Sequence, residues 1–431
     1  MARQVFRGGT HPPEHKEATR GSAIQWAPVP TRLVLPMSQH LGAPCAPVVA
    51  VGDRVERGQV IGSVDAMVSA PIHSPVAGTV TEISDTLTTG GARCPAVVIG
   101  PDADQDLGSY IEVPADDVRA RVRAAGVVGL GGATFPSVVK LMPPKDMPIE
   151  TVILNGCECE PFLTCDHRLM LETPDRVVAG ARHIRSIVGA RRVVIVVESN
   201  KPDAAEALRA VAGDDVEVAV LPTRYPQGAE KQLIYAVLGT EVPAGKLPAA
   251  TGALVHNVAT AAAIADALER GKPLTERVVT VTGAVARPGN YRVLLGTLVS
   301  DLIEVAGGFS GQVERVIAGG PMTGQALASL DVPVTKGTSG IVALPPGVAA
   351  PAICDDQPCI RCGRCPQGCP MMLEPYAIAN YANRRLWDMA STLHPIDCIE
   401  CGVCSYVCPT KRPLLQLIRL AKAAALAKGG S

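Results

Sequence analysis

The strongest constraint on the fold of this chain is a pair of identical cysteine motifs near its C-terminus. The first motif is Cys359-x2-Cys362-x2-Cys365-x3-Cys369-Pro370, and the second is Cys398-x2-Cys401-x2-Cys404-x3-Cys408-Pro409. The short spacing lets three thiolates of one tight loop reach a single inorganic cluster, while the fourth cysteine, followed by proline, is carried away by the turn. The chain must therefore fold around metal in this region.

This is the cysteine spacing of bacterial two-cluster ferredoxins, in which the fourth cysteine of each motif ligates the other cluster. We therefore expect two [4Fe–4S] clusters with crossed ligands. The first cluster would use Cys359, Cys362, Cys365 and Cys408. The second would use Cys398, Cys401, Cys404 and Cys369. The alternative is a pair of zinc sites, but zinc does not require a fourth cysteine followed by proline.

The composition of the whole chain limits the class of protein to which the cysteine region can belong. The chain has 431 residues, enough for two to four domains, and its 47 % hydrophobic and 19 % charged residues are typical of a globular protein. The net charge of −1 gives no electrostatic reason to expect a nucleic-acid partner. The sequence contains no apolar run of transmembrane length, and its N-terminus does not resemble a signal peptide. We expect a cytoplasmic protein, in which cysteines indicate metal or redox chemistry.

The pattern along the chain predicts a multidomain protein of α/β and α+β class. Short strands between turn signals dominate the first hundred residues after a polar arm, and apolar runs such as TVILNG (151–156) then alternate with helical segments. We place the boundaries as follows: arm, 1–27; β unit, 28–110; α/β domain, 111–272; α+β unit, 273–348; cysteine domain, 349–412; amphipathic C-terminal helix, 413–431.

Two segments of the α/β domain could bind a nucleotide. The loop GVVGLGGATFPSVVK (126–140) has glycines that allow a phosphate to approach the backbone, although a plain tight turn is an equal alternative. The strand ending in NGCECEP (155–161) places polar side chains where α/β sheets bind ligands, although a polar loop explains it as well. We interpret Cys157 and Cys159 in this segment as packing residues, because no second cysteine pair accompanies them.

Together these segments resemble a known family. GLGGATFPSVVK and NGCECEP are similar to the flavin- and NADH-binding loops of the flavin-carrying subunit of respiratory complex I, as are YPQGAEKQLIYAVLG (225–239) and VHNVATA (255–261). With the arm GGTHPPEHK, the β unit and the double cysteine motif, nearly the whole chain resembles the C subunits of Rnf electron-transport complexes. The resemblance implies a barrel-sandwich-like β unit, a Rossmann-type flavoprotein domain, a soluble-ligand-binding β-grasp unit and a helical two-cluster ferredoxin domain.

The resemblance also implies noncovalent FMN and NAD(H). At matching positions, the FMN contacts would be Gly129, Gly131, Gly132, Lys140, Asn155, Glu158, Asn257 and Thr260. The nicotinamide nucleotide would lie near Phe135, Glu160 and Glu230. The sequence departs from complex I at Leu130, Cys157 and Ala229, where that family has Arg, Asp and Glu.

The resemblance further implies a peripheral protein on the cytoplasmic face of the cell membrane. Its partners would be the membrane subunits of the Rnf complex, the ferredoxin-like B subunit, ferredoxin as an indirect donor, and NADH. Two alternatives stay open. One is a soluble cobalamin reductase of the propanediol-utilisation type, which the GGTHPPEHK arm disfavours. The other is a nonenzymatic electron-wire protein whose flavin site is vestigial.

For three remaining features of the sequence we expect structural, docking or surface roles. The hairpin SAPIHSPVAGTVTEI resembles a biotinyl or lipoyl carrier but has Asp65-Ala66-Met67 at the turn instead of the carrier lysine, so we expect a structural or docking role. The C-terminal helix carries an apolar stripe, which favours packing on its own protein over contact with a membrane surface or another subunit. We expect the histidines at 11, 15, 40 and 73 at the surface or in turns, since they lack metal-ligand spacing.

Overall fold

The computed structural model describes residues 5–114, 117–348 and 358–429, with side chains through residue 427. The expected start of the cysteine domain at residue 349 lies outside these residues, as does Cys354, a cysteine that belongs to neither motif. The described part of the chain forms a β unit, an α/β domain, a second β-rich unit and a helical domain, in that order.

The β unit is built from two small antiparallel sheets. It follows β1 (Ile24–Trp26), and its strands are β2 (Leu33–Pro36), β3 (Ala46–Pro47), β4 (Arg54–Val55), β5 (Val60–Ser63), β6 (Ile72–His73), β7 (Gly78–Leu87) and β8 (Arg93–Pro101). The sheet orders are β2-β8-β7-β4 and β3-β5-β6. Alternate apolar residues such as Leu33, Leu35 and Ile61 are fully buried between them. Gly78 permits the close approach of β8, because a Cβ there would lie 2.4 Å from the Gly100 carbonyl oxygen.

The α/β domain is a parallel sheet covered on both faces by helices. Its helices are α1 (Val118–Ala124), α2 (Ser137–Lys140), α3 (Cys165–Glu172), α4 (Pro174–Val188), α5 (Pro202–Ala212), α6 (Glu230–Leu238) and α7 (Val258–Arg270). Its strands are β9 (Thr151–Gly156), β10 (Arg192–Glu198), β11 (Glu217–Leu221) and β12 (Ala253–Asn257), in the order β11-β10-β9-β12. The central residues of the strands are mainly apolar because α4, α5 and α7 cover one face and α6 the other.

The sheet register brings two of the expected site residues side by side. Asn155 on β9 pairs with Asn257 on β12, at the carboxyl ends of adjacent parallel strands. This edge is where an open α/β sheet binds its ligands. The fold therefore places both asparagines at the edge of the sheet that the sequence indicated.

The second β-rich unit is a six-stranded mixed sheet with one helix. Its elements are β13 (Glu276–Gly283), β14 (Gly289–Leu294), α8 (Val299–Val305), β15 (Arg315–Ala318), β16 (Gln325–Ala326) and β17 (Gly340–Leu344). The order is β1-β14-β13-β17-β15-β16, so the last strand of the arm, β1, joins this sheet by parallel pairing with β14. The sequence did not predict this pairing. A buried Arg57–Glu276 ion pair of 2.6 Å also links the β unit to this sheet, and Lys272 and Arg292 contact the same carboxylate.

The cysteine domain is helical, as expected. Its helices are α9 (Arg364–Gly368), α10 (Pro375–Asn383), α11 (Trp387–Ser391), α12 (Val403–Tyr406) and α13 (Leu414–Gly429). The C-terminal α13 buries Leu414, Ile418 and Ala421 against α10 and α11. The prediction that this helix packs on its own protein is confirmed. Within the described residues, no helix is both long and apolar enough to span a bilayer.

The prediction for two of the four histidines was wrong. His11 and His15 are exposed, but His73 is 1 % exposed and His40 lies buried beside the Cys45 thiol. Burial, followed by the nearby Lys336 ammonium, lowers the pKa of His73 to about 3. Both histidines lie at the junction of the β unit with its neighbouring domains, where a long-range contact that local sequence does not reveal removes them from water.

Candidate functional site

The glycine-rich loop forms a cradle of free backbone amides. The Gly129 amide donates to the Phe135 carbonyl oxygen at 2.8 Å, and the Thr134 amide donates back to the Gly129 carbonyl oxygen at 3.1 Å, which closes the loop. Between these bonds, residues 131–133 are exposed, and within the described chain none of their amides donates to a protein group. Adjacent unpaired amides of this kind are suited to an anion such as a phosphate.

This cradle is fastened to the start of α7. The Leu130 amide donates to the Thr260 hydroxyl at 2.8 Å, and a Cβ at Gly131 would lie 3.3 Å from the Asn257 Cβ. The Asn257 carboxamide oxygen caps α7 by accepting from the amides of Ala259 and Thr260. A helix N-terminus adds a positive partial charge, so cradle and helix favour an anion at the same point.

A buried carboxyl group orients Asn257. The Asn257 Nδ2 donates to Asp166 Oδ2 at 2.6 Å. Burial, followed by the negative charge of Glu158, raises the pKa of Asp166 to about 7. Asp166 was not predicted as a site residue from the sequence, although it lies within the segment CDHR at the start of α3. A polar side chain at the first turn of a helix was the available signal.

Two of the expected flavin contacts are engaged by protein groups. Asn155 Nδ2 donates to the Gly228 carbonyl oxygen at 2.8 Å and so joins the strand end to the 225–230 loop. The Glu158 carboxylate accepts from the amides of Asp166 and His167 and pairs with the buried Lys16 ammonium at 3.8 Å. Both side chains therefore hold the loops of the site in position through their bonds to protein groups. Their direct contact with a flavin stays a prediction.

The residues expected near the nicotinamide make contacts in different parts of the structure. Glu230 accepts from Lys140 Nζ at 2.8 Å, and that ammonium also donates to the Val255 carbonyl oxygen. Glu160 instead accepts from the Met322 amide at 3.0 Å and from the Thr323 hydroxyl, on a turn of the second β-rich unit. Burial raises the pKa of this carboxyl group. Phe135 is half-buried in the cradle.

The structure brings the fourth cysteine of each motif close to the other motif, and the crossed ligation of two clusters stays a prediction. Burial, and then the charges of Cys359 and Cys408, raise the pKa of Cys365, so the fourth cysteine of the second motif lies near the first motif. A small cavity is lined by Cys369 together with Cys398, Cys401 and Cys404. Among the described residues, no three such ligands surround a single ion, whereas each thiolate of a cubane binds a different iron. The donor set fits two [4Fe–4S] clusters.

The remaining described cysteines form no such group. Cys157 is fully buried and Cys159 half-buried, and burial raises the pKa of both thiols. The buried Lys201 ammonium donates to the Cys157 carbonyl oxygen at 2.7 Å, so this segment is fixed through its backbone. These positions agree with the packing role that the sequence predicted.

Four protein-family models match successive parts of the chain. The RnfC barrel sandwich hybrid domain matches residues 4–104, the Nuo51 FMN-binding domain matches 122–266, the SLBB domain matches 278–326 and a 4Fe-4S dicluster domain matches 358–412. The barrel-sandwich family thus takes in the arm as well as the β unit. The flavin-domain match contains the cradle, both asparagines and the acidic strand end.

Relatives of known role cover nearly the whole chain. The C subunit of the proton-translocating ferredoxin:NAD(+) oxidoreductase complex of Clostridium ljungdahlii is 44 % identical over 98 % of this chain and 94 % of its own length. The corresponding subunit of the Na(+)-translocating complex of Acetobacterium woodii is 44 % identical over 97 % and 96 %. The C subunit of the ion-translocating oxidoreductase complex of Rhodobacter capsulatus is 41 % identical over 86 % and 74 %.

Solved structures show the same fold at lower similarity. A chain of an NAD+-reducing [NiFe]-hydrogenase in the H2-reduced state aligns over 72 % of this chain with a TM-score of 0.51 and 20 % identity. The alignment spans 63 % of that chain, less than two thirds of its length. At this identity the likeness concerns the fold. The relatives of 41–44 % identity, matched along most of their length, show that this chain belongs to the family of C subunits of ion-translocating ferredoxin:NAD(+) oxidoreductase complexes.

Proposed function

We propose that this chain exchanges electrons between NAD(H) and iron–sulfur partners as the C subunit of an ion-translocating ferredoxin:NAD+ oxidoreductase. The observation that supports the proposal is the joint presence, in one chain, of a free-amide cradle at the start of α7 and two ferredoxin-type cysteine motifs, each with its fourth cysteine near the other motif. When bound, FMN supplies the conversion between the hydride of NADH and single-electron transfer. The protein's own residues bind, orient and connect the cofactors.

The phosphate of FMN belongs at the cradle in this proposal. The amides of residues 131–133 and the α7 N-terminus would receive it, with Gly129, Gly131 and Gly132 keeping the backbone accessible. Lys140, Asn155, Glu158, Asn257 and Thr260 would complete the flavin side of the site. Phe135, Glu160 and Glu230 would contact the nicotinamide nucleotide.

The partners follow from the family to which the chain belongs. We propose that it docks peripherally on the cytoplasmic face of the membrane, against the membrane subunits of the complex. A ferredoxin-like B subunit would be the iron–sulfur partner, and ferredoxin would deliver electrons indirectly. The relatives' names include both proton- and Na(+)-translocating complexes, so they support ion movement by the assembly without selecting the ion.

The proposal is tested by anaerobic mixing of the purified, FMN-loaded chain with NADH. We expect bleaching of the flavin absorbance followed by reduction of the iron–sulfur chromophore. Glu160→Gln and Glu230→Gln should each slow flavin reduction while leaving flavin content intact, because both keep the shape of the side chain and remove its charge. Glu206→Gln, at an exposed position on α5, is the matched control and should behave as the parent chain.

Two results would contradict this assignment. Loss of FMN from the Glu160 or Glu230 variant would show that these residues serve the flavin and not the nicotinamide nucleotide. A flavin that NADH fails to reduce in the parent chain would favour the electron-wire alternative over the enzymatic one.

A further inference from the structure

The contacts that hold the cysteine domain against the rest of the protein converge on one of its two cysteine sets. The Tyr225 hydroxyl donates to the carbonyl oxygen of Cys401 at 2.7 Å. Gly402, the next residue, lies against the turn of the second β-rich unit, since a Cβ there would be 2.6 Å from the Met322 carbonyl oxygen. Gln232 on α6 also reaches the Pro370 carbonyl oxygen, at 3.4 Å.

The N-terminal arm fastens the same cysteine set from the other side. The Gly9 amide donates to the Gly368 carbonyl oxygen at 2.8 Å, and a Cβ at Gly8 would lie 2.6 Å from the carbonyl oxygen of Cys369. Arg224 donates to the carbonyl oxygens of Phe6 and Gly8, so the arm is held between Cys369 and the loop that carries Tyr225. Both glycines have φ near +75°, a conformation that other residues adopt at a cost.

The segments that support this set also frame the candidate flavin site. Tyr225 opens the loop whose Gly228 carbonyl oxygen accepts from Asn155. Glu160, at the end of the acidic segment, accepts a hydrogen bond from the amide of Met322, the same residue whose carbonyl oxygen contacts Gly402. The cysteine set Cys398, Cys401, Cys404 and Cys369 is therefore attached directly to the loops of the candidate flavin site.

The first motif has the opposite environment. Cys362 is exposed, and Ile360 beside it is 60 % exposed. Within the described chain, no hydrogen bond joins residues 358–365 to the α/β domain. Cys365 and Cys408 of the first-motif set are buried, but Cys362 is exposed, whereas no cysteine of the second-motif set is exposed. The first-motif set therefore reaches solvent at Cys362.

We propose that the second-motif cluster, on Cys398, Cys401, Cys404 and Cys369, is the one that exchanges electrons with the flavin. The first-motif cluster, on Cys359, Cys362, Cys365 and Cys408, exchanges electrons with an external one-electron iron–sulfur partner. Each cluster carries one electron at a time, and the two electrons of a hydride pass through in succession. This order rests on the proposed function, but its test separates the two.

The first experiment compares Cys362→Ala with Cys401→Ala in the FMN-loaded chain, by electron paramagnetic resonance. Dithionite should reduce the surviving cluster in both proteins. NADH should reduce the surviving cluster of Cys362→Ala as in the parent chain and should fail to do so in Cys401→Ala, although it still reduces the flavin. The reverse pattern overturns the proposed order. Failure of NADH to reduce the flavin in the parent chain overturns the proposed function instead.

The second experiment leaves every cluster ligand in place and guards against loss of both clusters in the ligand variants. Gly8→Ala should slow NADH-driven cluster reduction without changing flavin reduction or iron content, because the new methyl group presses on the Cys369 backbone. Gly21→Ala is the control in the same arm, since nothing lies within 4 Å of its Cβ position. Cluster reduction at the parent rate in Gly8→Ala would contradict the proposal.

A third measurement needs no NADH. In the dithionite-reduced parent chain, a soluble dysprosium chelate should accelerate the spin relaxation of one cluster far more than that of the other. The strongly affected signal should be the one missing from Cys362→Ala, because the first-motif set reaches solvent at Cys362. Equal enhancement of both signals would refute the outward position of the first-motif cluster.

Discussion

Replacing Gly131 with valine tests the phosphate cradle directly. The backbone φ of Gly131 does not lie in the left-handed region, so an L side chain causes no intrinsic strain there. The first added carbon would lie 3.3 Å from the Asn257 Cβ, a close contact that a small shift relieves. The two valine methyl groups would then occupy the space in front of the free amides. We expect a folded protein with an obstructed anion site.

The size of the effect follows from the hydrogen bonds that are lost. A hydrogen bond to a charged group contributes about 1.5–3 kcal/mol net. If the valine displaces the phosphate from one cradle amide, FMN binding should weaken roughly 10- to 100-fold, since each 1.4 kcal/mol is a factor of ten in Kd. Displacement from two amides would multiply the effect.

The measurement is a fluorescence titration of the flavin-free chain with FMN, in which bound flavin is quenched. Gly311→Val is the matched control, because it adds the same side chain at an exposed glycine with nothing within 4 Å of its Cβ position. Thermal unfolding of both variants checks that the fold survives. If Gly131→Val binds FMN as tightly as the Gly311→Val control, the cradle does not hold the phosphate.

Three further predictions concern the clusters, stability and location. Cys369→Ala and Cys398→Ala should lose the same paramagnetic signal, since both residues belong to the second cluster; loss of different signals would show that each motif serves itself. Burial opposes ionisation of Glu276, but its three cationic neighbours outweigh it and hold the pKa of the carboxyl group below 4.5. The stabilisation that the Glu276 carboxylate gives the fold is therefore present above pH 4.5 and lost as the pH falls through the lowered pKa. In Glu276→Gln, the urea unfolding midpoint should vary less with pH over this range, and an unchanged pH dependence would contradict the prediction. In its native host the chain should pellet with membranes and be released by a chaotrope, whereas a purely cytosolic distribution would contradict a peripheral membrane position.

Local pattern was sufficient for the buried strands and for the iron–sulfur chemistry, whereas the flavin and NAD(H) were implied only by the family resemblance. The apolar runs of β9 and β10 could be recognised because a parallel strand is buried on both faces. The two cluster motifs could be recognised because their cysteine spacing is specific to two-cluster ferredoxins. In both cases the determining information lies within a few consecutive residues.

The contacts made by the arm could not be recognised in this way. Lys16 donates to carbonyl oxygens at 158 and 163, and β1 pairs with a strand more than 260 positions away. Nothing in the polar, glycine-rich composition of the arm distinguishes a flexible extension from a segment fixed between domains. His73 was misplaced for the same reason, since Gly126 of the α/β domain lies against its ring and Lys336 of the second β-rich unit lies nearby.

The position of the arm also sets an order for folding during synthesis. Residues 5–26 are synthesised well before their partners, since β1 pairs with β14 at residues 290–292 and Gly9 bonds to residue 368. Contacts between residues so far apart in sequence form late, because the entropy cost of closing the long intervening loop comes before the contacts stabilise the fold. The β unit and the α/β domain can fold as they emerge, but the arm has to wait for the cysteine domain. The arm can therefore take its place beside Gly368 and Cys369 only after the cysteine domain has been synthesised.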